Sequence, residues 1–186
     1  MARPKPDLTA LLDAMADHVL THGLNTASLR PLARTAGTSD RMLVYHFGSK
    51  EGLVAALLQH LASRMANGLT AALPPGRAES VAGAVAEIVA LMRTEAFRPY
   101  ARVWLDIVSA SGQGGTAHRA AGHAVIDGFL SWIAGRLPER DGGGAEDARL
   151  ALTLIEGTLV MDAVGQSDTA DRAVARMAEQ ERAARP

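Results

Sequence analysis

The 186-residue chain has no cysteine, which excludes disulfides, thiolate zinc sites and cysteine nucleophiles and leaves six histidines and the carboxylates as the source of any metal site. Aromatic residues make up only 4% of it. It lacks an excess of either charge: 19 basic and 20 acidic residues leave a formal net charge of -1, so this is not the strongly basic body of a protein that coats nucleic acid, and any DNA contact has to be local. No apolar run approaches the roughly 18 residues of a spanning helix, and Met1 to Asp7 lack the apolar stretch of a signal peptide, so a cytoplasmic protein without a membrane partner is expected. Catalytic signatures are missing too. There is no Gly-x-Ser-x-Gly elbow, P-loop or His-Glu-x-x-His helix, and no strand precedes Gly112-Gln113-Gly114-Gly115 to make it a dinucleotide fingerprint, so neither an enzyme nor a cofactor is expected.

What is present reads as helix. Apolar residues recur at spacings of three and four, no segment sustains the period-two alternation of a strand, and 48% hydrophobic content can bury a sizeable core. An all-α fold of about nine helices follows. The first begins after Asp7, a plausible N-cap, and carries Leu8, Leu11, Leu12, Met15, Val19 and Leu20 to a stop at Gly23. A short helix from Leu29 to Ala36 is capped by Ser28, with Pro31 tolerated in the first turn, and Gly37 ends it. A third spans Ser39 to Phe47. The fourth runs from Ser49 to the break at Pro74-Pro75-Gly76, and five more follow at about 78–94, 97–111, 117–137, 145–165 and 169–184. No 20 to 50 residue repeat is evident.

Two short helices joined at a glycine, after an amphipathic helix that can clamp them, form the local pattern of a helix-turn-helix unit, a pattern that plain helical bundles share. The residues beyond it are more specific. Val44-Tyr45-His46-Phe47-Gly48-Ser49-Lys50-Glu51-Gly52-Leu53 is similar to the stretch that closes the recognition helix and opens the fourth helix in the TetR family of transcriptional regulators. Gly23-Leu24, Thr26, Ser28-Leu29, Leu32-Ala33 and Ala36-Gly37 also resemble the family's second-helix pattern, so the likeness covers roughly residues 8 to 60. It implies a DNA-binding head, 1–62, followed by a helical ligand-binding and dimerisation domain, 63–186.

The residues agree with that resemblance. Leu29, Leu32, Ala33, Leu43 and Phe47 can face Leu12, Met15 and Val19 and hold the third helix as a rigid rod. The candidate DNA-binding residues are Ser28, Arg30, Ser39, Asp40, Arg41, Met42, Val44, Tyr45, His46 and Lys50. Arg41 is the best candidate for guanine, since its fork can pair with O6 and N7. The resemblance places Tyr45 and His46 at phosphate-contacting positions, and Lys50 sits in a helical first turn that favours an anion. Lysine is otherwise used only at position 5 among 19 basic residues. Two residues depart from the family: Met42 stands where a small or hydroxyl residue is usual, and Asp40 either accepts from cytosine N4 or complements the positive end of its own helix. Arg3 and Lys5 are read either as cations for a phosphate or the minor groove or as a mobile tail.

In the second half, the helix from about Ala145 to Gly165 is apolar around most of its circumference, so it must be buried on two sides, one by its own core and one by a partner. Leu152, Ile155, Leu159, Val174 and Met177 are the interface candidates of a homodimer, since the last two helices of TetR-like proteins usually form the dimer interface. Two heads related by a two-fold axis match a palindromic operator. Phe97, Tyr100, Trp104, Phe129, Trp132 and Glu156 are the lining candidates for an unknown small-molecule effector, with Asp106, His118 and His123 as further polar groups. Core packing is the competing reading for each aromatic residue. His18 and His22, four apart, are a possible metal pair, against which stands their place near a helix C-terminus. The function that follows is a ligand-responsive regulator, most often a repressor in this family. A second reading is a helical small-molecule-binding or scaffold protein with a degenerate head.

Overall fold

The computed structural model describes residues 7–26, 28–139 and 144–184. Arg3 and Lys5 lie outside them. Among the described residues every α or 3-10 element is a helix and no strand occurs, as the spacing predicts: α1 Leu8–His22, α2 Leu29–Thr35, α3 Asp40–Phe47, α4 Lys50–Ala72, α5 Val81–Met92, α6 Arg98–Gly112, α7 Thr116–Arg136, α8 Gly144–Ala163 and α9 Ser167–Ala183, with a single 3-10 turn at Leu24–Thr26.

The ends follow local chemistry. The Asp7 side chain accepts from the backbone N–H groups of Thr9 (2.9 Å) and Ala10 (3.4 Å), which caps α1. Ser28 holds the N-cap position of α2 with extended backbone but makes no side-chain cap bond, so the expected cap there is one of position only. Between α2 and α3 the chain reverses at Gly37, whose φ of 64° is a left-handed conformation that a side chain would strain.

The contacts divide the chain into two compact units that interleave along it: Met1–Met65 with Pro99–Val125, and Ala66–Arg98 with Ile126–Pro186. In the first, Met15, Val19, Leu32, Leu43, Leu53 and Leu57 form a common core, joined by Val103 and Ile107 of α6. Two polar ties fix the end of α1 to α6: Asp106 accepts from the Leu24 N–H at 3.1 Å, and Arg102 donates to the carbonyls of Leu20 and Thr21. Along α1 and α4, His60 meets Asp13 at 2.7 Å and Arg64 meets Asp17 at 2.9 Å.

In the second unit α5, α8 and α9 pack on one another, burying Val81, Val85, Ile88, Met92, Ala151, Ile155 and Leu159. Charge ties the same three helices. The Arg93 guanidinium, at the end of α5, bonds both oxygens of Asp162 at 2.8 and 2.9 Å and reaches Asp171 at 2.9 Å. Hydrogen bonding to Asp162, then to Asp171, raises the Arg93 pKa above its ordinary range, while the Arg93 bond lowers that of Asp162. At the other end of α5 the Glu181 carboxylate accepts from the N–H groups of Val81 (3.2 Å) and Ala82 (2.9 Å), a cap supplied by α9.

Candidate nucleic-acid interface

α3 is eight residues long, and one face of it is fixed. Leu43 is fully buried and Phe47 packs on the same core, while Ser39 caps the helix by accepting from the Met42 N–H at 3.3 Å. At about 100° per residue, the side opposite Leu43 is held by Arg41 and Tyr45, with Met42 and Val44 on its two flanks. Exposure follows that geometry: Tyr45 is 77% exposed, Met42 39% and Val44 37%, and Arg41 and Asp40 are exposed as well.

Immediately beyond α3, Ser49 caps α4 by accepting from the Gly52 N–H at 2.9 Å, and Lys50 stands exposed as the first residue of that helix. A Cβ on Gly52 would lie closer than 3.0 Å to the Phe47 carbonyl oxygen, so the start of α4 sits against the end of α3 through a position without a side chain. Arg30 and Ser28 are exposed at the start of α2. Arg34, in the last turn of α2, is a further exposed cation that the motif did not single out.

His46 differs from its neighbours. It is half-buried, its ring meets that of Tyr45 edge-on at 5.3 Å, and its Nε2 is shielded from solvent with no hydrogen-bond partner among the described residues. It sits nearer the inward side of the helix than a free phosphate ligand would, because it lies only about 60° from the buried Leu43 direction.

Residues 11–57, which hold all of α2 and α3, match the sequence model of the bacterial regulatory proteins of the tetR family. Over those residues the chain is similar to the TetR family. Over 64 residues it is 36% identical to the HTH-type transcriptional regulator AlkX of Mycobacterium tuberculosis, a match that takes in 34% of this chain but only 30% of that protein. A solved TetR-family transcriptional regulator from Rhodococcus sp. superposes with a TM-score of 0.68 at 17% identity, covering 92% of this chain and 95% of that one. FadR of Bacillus subtilis, a transcriptional regulator solved in complex with stearoyl-CoA, superposes at 0.57 with 15% identity, covering 90% and 97%. At such identities the likeness is one of fold.

The remaining candidates of this chain are distributed as follows. Tyr100 and Trp104 pack against the core of the first unit. Phe97, Phe129, Trp132 and Glu156 belong to the second, where Phe129 and Trp132 meet edge-on at 5.9 Å and the Trp132 indole N–H donates to Thr70 at 2.8 Å. Phe97 is buried, its ring lying over Gly68. Asp106 is occupied in holding Leu24, and His118 and His123 lie on α7. Of the interface candidates, Leu152, Ile155 and Leu159 are buried within the single chain, whereas Val174 and Met177 are half-buried. The apolar face that α8 leaves open carries Leu150 and Val160, with Val164 just past its end. The rings of His18 and His22 lie 4.6 Å apart, tilted by 53°, and the described residues contain no group of three or more His, Asp or Glu able to hold a metal. No helix among them is long and apolar enough to cross a membrane.

Proposed function

We propose that this protein is a ligand-responsive transcriptional regulator that binds a palindromic operator as a cytoplasmic homodimer, represses from it and is released by a small-molecule effector. The observation that carries the DNA-reading part is the outward ridge of α3, Arg41 and Tyr45, on a helix whose opposite side is locked into the core and whose end is followed by Lys50. A rod backed in this way presents its side chains to a major groove without reorganising, and the arginine fork matches guanine O6 and N7. Lys50 adds a charge for a phosphate, as do Arg30 and Arg34. The members of this family are regulators rather than enzymes.

An effector acts by binding more tightly to one arrangement of the paired heads than to another. That FadR, which shares the fold, was solved with stearoyl-CoA supports a sensing role for the α5 to α9 region, with residues 1–62 as the reading head.

Selection of bound sequences from a random duplex pool by the purified full-length chain, followed by titration at two salt concentrations, tests the proposal. A palindrome bound with a steep salt slope is the expected outcome. Arg41→Ala should then cost about 1–3 kcal/mol on the selected site and relax sequence choice, while Lys50→Ala should weaken all duplexes alike and flatten the salt slope by about one unit. Absence of enrichment by folded protein would refute the regulator.

A further inference from the structure

The described residues expose eight large hydrophobic side chains, and six of them are grouped: Met42, Val44 and Tyr45 stand together on α3, and Leu150, Val160 and Val164 on and just beyond α8, with Leu8 and Val108 apart. Isolated exposed apolar residues are ordinary on a protein surface, but a cluster on a short helix that carries the reading surface calls for an apolar partner. The core of their unit takes Leu43 and Phe47 from the same helix, while Met42 and Val44 remain 39% and 37% exposed. Neither has a hydrogen-bond donor for a phosphate oxygen or a base acceptor. Base pairs in a major groove offer such side chains one apolar feature, the C5-methyl group of thymine.

The two side chains flank the Arg41–Tyr45 ridge, one on each side, so a helix that sets Arg41 over a guanine directs them to the bases on either side of it. We infer that Met42 and Val44 are specificity-determining residues that read thymine methyl groups, and that each operator half-site carries thymines flanking the guanine engaged by Arg41. This rests on the DNA-reading function proposed above. It also gives Met42, in a place where the family usually has a small or hydroxyl residue, a role that a phosphate ligand could not fill.

The test uses the full chain and its selected duplex, resynthesised with deoxyuridine for thymine at each position in turn, symmetrically in both half-sites. Base pairing and backbone charge are unchanged, and only the methyl is removed. Loss of one buried methyl should weaken binding about fourfold, and the symmetric pair about sixteenfold. Met42→Ala should abolish this penalty at one position and Val44→Ala at another, each leaving the other's penalty intact. Because both side chains are exposed, the variants should keep the wild-type circular dichroism and melting midpoint.

A selected site without thymine beside the guanine would overturn the inference. So would a duplex indifferent to deoxyuridine, or a penalty that survives in both variants. A pool with no enriched sequence would instead sink the DNA-reading function itself, which separates the two failures.

Discussion

His18 shows how much one side chain in the head depends on its neighbours. Its Nδ1 lies 3.3 Å from the Thr35 hydroxyl at the end of α2, and its Nε2 is buried with no hydrogen-bond partner among the described residues. Its charged neighbours are His22 on its own helix and Arg34 on α2. The acids nearby on α1, Asp13 and Asp17, are engaged by His60 and Arg64 of α4. Burial, then His22, then Arg34 lower the His18 pKa, all disfavouring a second positive charge. The folded state therefore keeps the ring neutral at a pH where the unfolded chain, at about 6.5, already takes up a proton. Stability from this site is full above that value and is lost as pH falls through the folded one. The urea midpoint should drop between about pH 7.5 and about pH 5.5, and His18→Gln should reduce that drop. An identical drop in the variant would rule out His18 as its source. The i, i+4 spacing of the two histidines makes their closeness legible in the sequence, as Asp7 is legible as a cap. Thr35 as the partner of His18 is not legible, because it depends on how α2 packs against α1.

The joint between α3 and α4 sets the helix proposed to face DNA, and it tolerates no side chain at Gly52. An alanine there would drive its Cβ into the Phe47 carbonyl, which is backbone and cannot swing aside. Relieving that clash means moving the end of α3 or unwinding the Ser49 cap, at a cost of about 1–3 kcal/mol. Gly52→Ala should therefore lower operator affinity by at least about tenfold while the oligomeric state stays that of the wild type, measured by titration of the selected duplex and by sedimentation. Unchanged affinity would mean that the joint does not position α3. The glycine stands inside the motif that made the head recognisable, yet its reason is visible only once Phe47 is placed. Helix α8 shows the reverse case. Its all-round apolar pattern predicts that two sides are covered but not which side is inside. Packing against α5 and α9 takes Leu152, Ile155 and Leu159 inward and leaves Leu150 and Val160 out.

For the whole molecule, residues far apart in the chain decide what the sequence could not. Asp106 reaches Leu24 across 82 positions and Glu181 caps α5 across 99 and 100, so their roles are set by topology and have no local signature. The aromatic effector candidates fall in both compact units for the same reason, since composition identifies which rings are large but not which unit buries them. The proposed dimer is where these scales meet. Leu150, Thr153, Gly157, Val160 and Val164 are all exposed and are spaced alternately three and four apart, the period of a helix–helix seam, with small residues at its middle where two backbones can approach. A two-fold pairing through this face would set two heads on two half-sites, and the second head would bind at the high effective concentration that linkage provides. Val160→Glu places a charge in the seam without touching either core. It should yield a folded monomer by sedimentation, with operator affinity reduced by about 10²–10⁴ and affinity for a single half-site unchanged. A variant that remains dimeric would show that the two copies meet through another surface, and a monomer that keeps full operator affinity would show that the palindrome is not read by a pair.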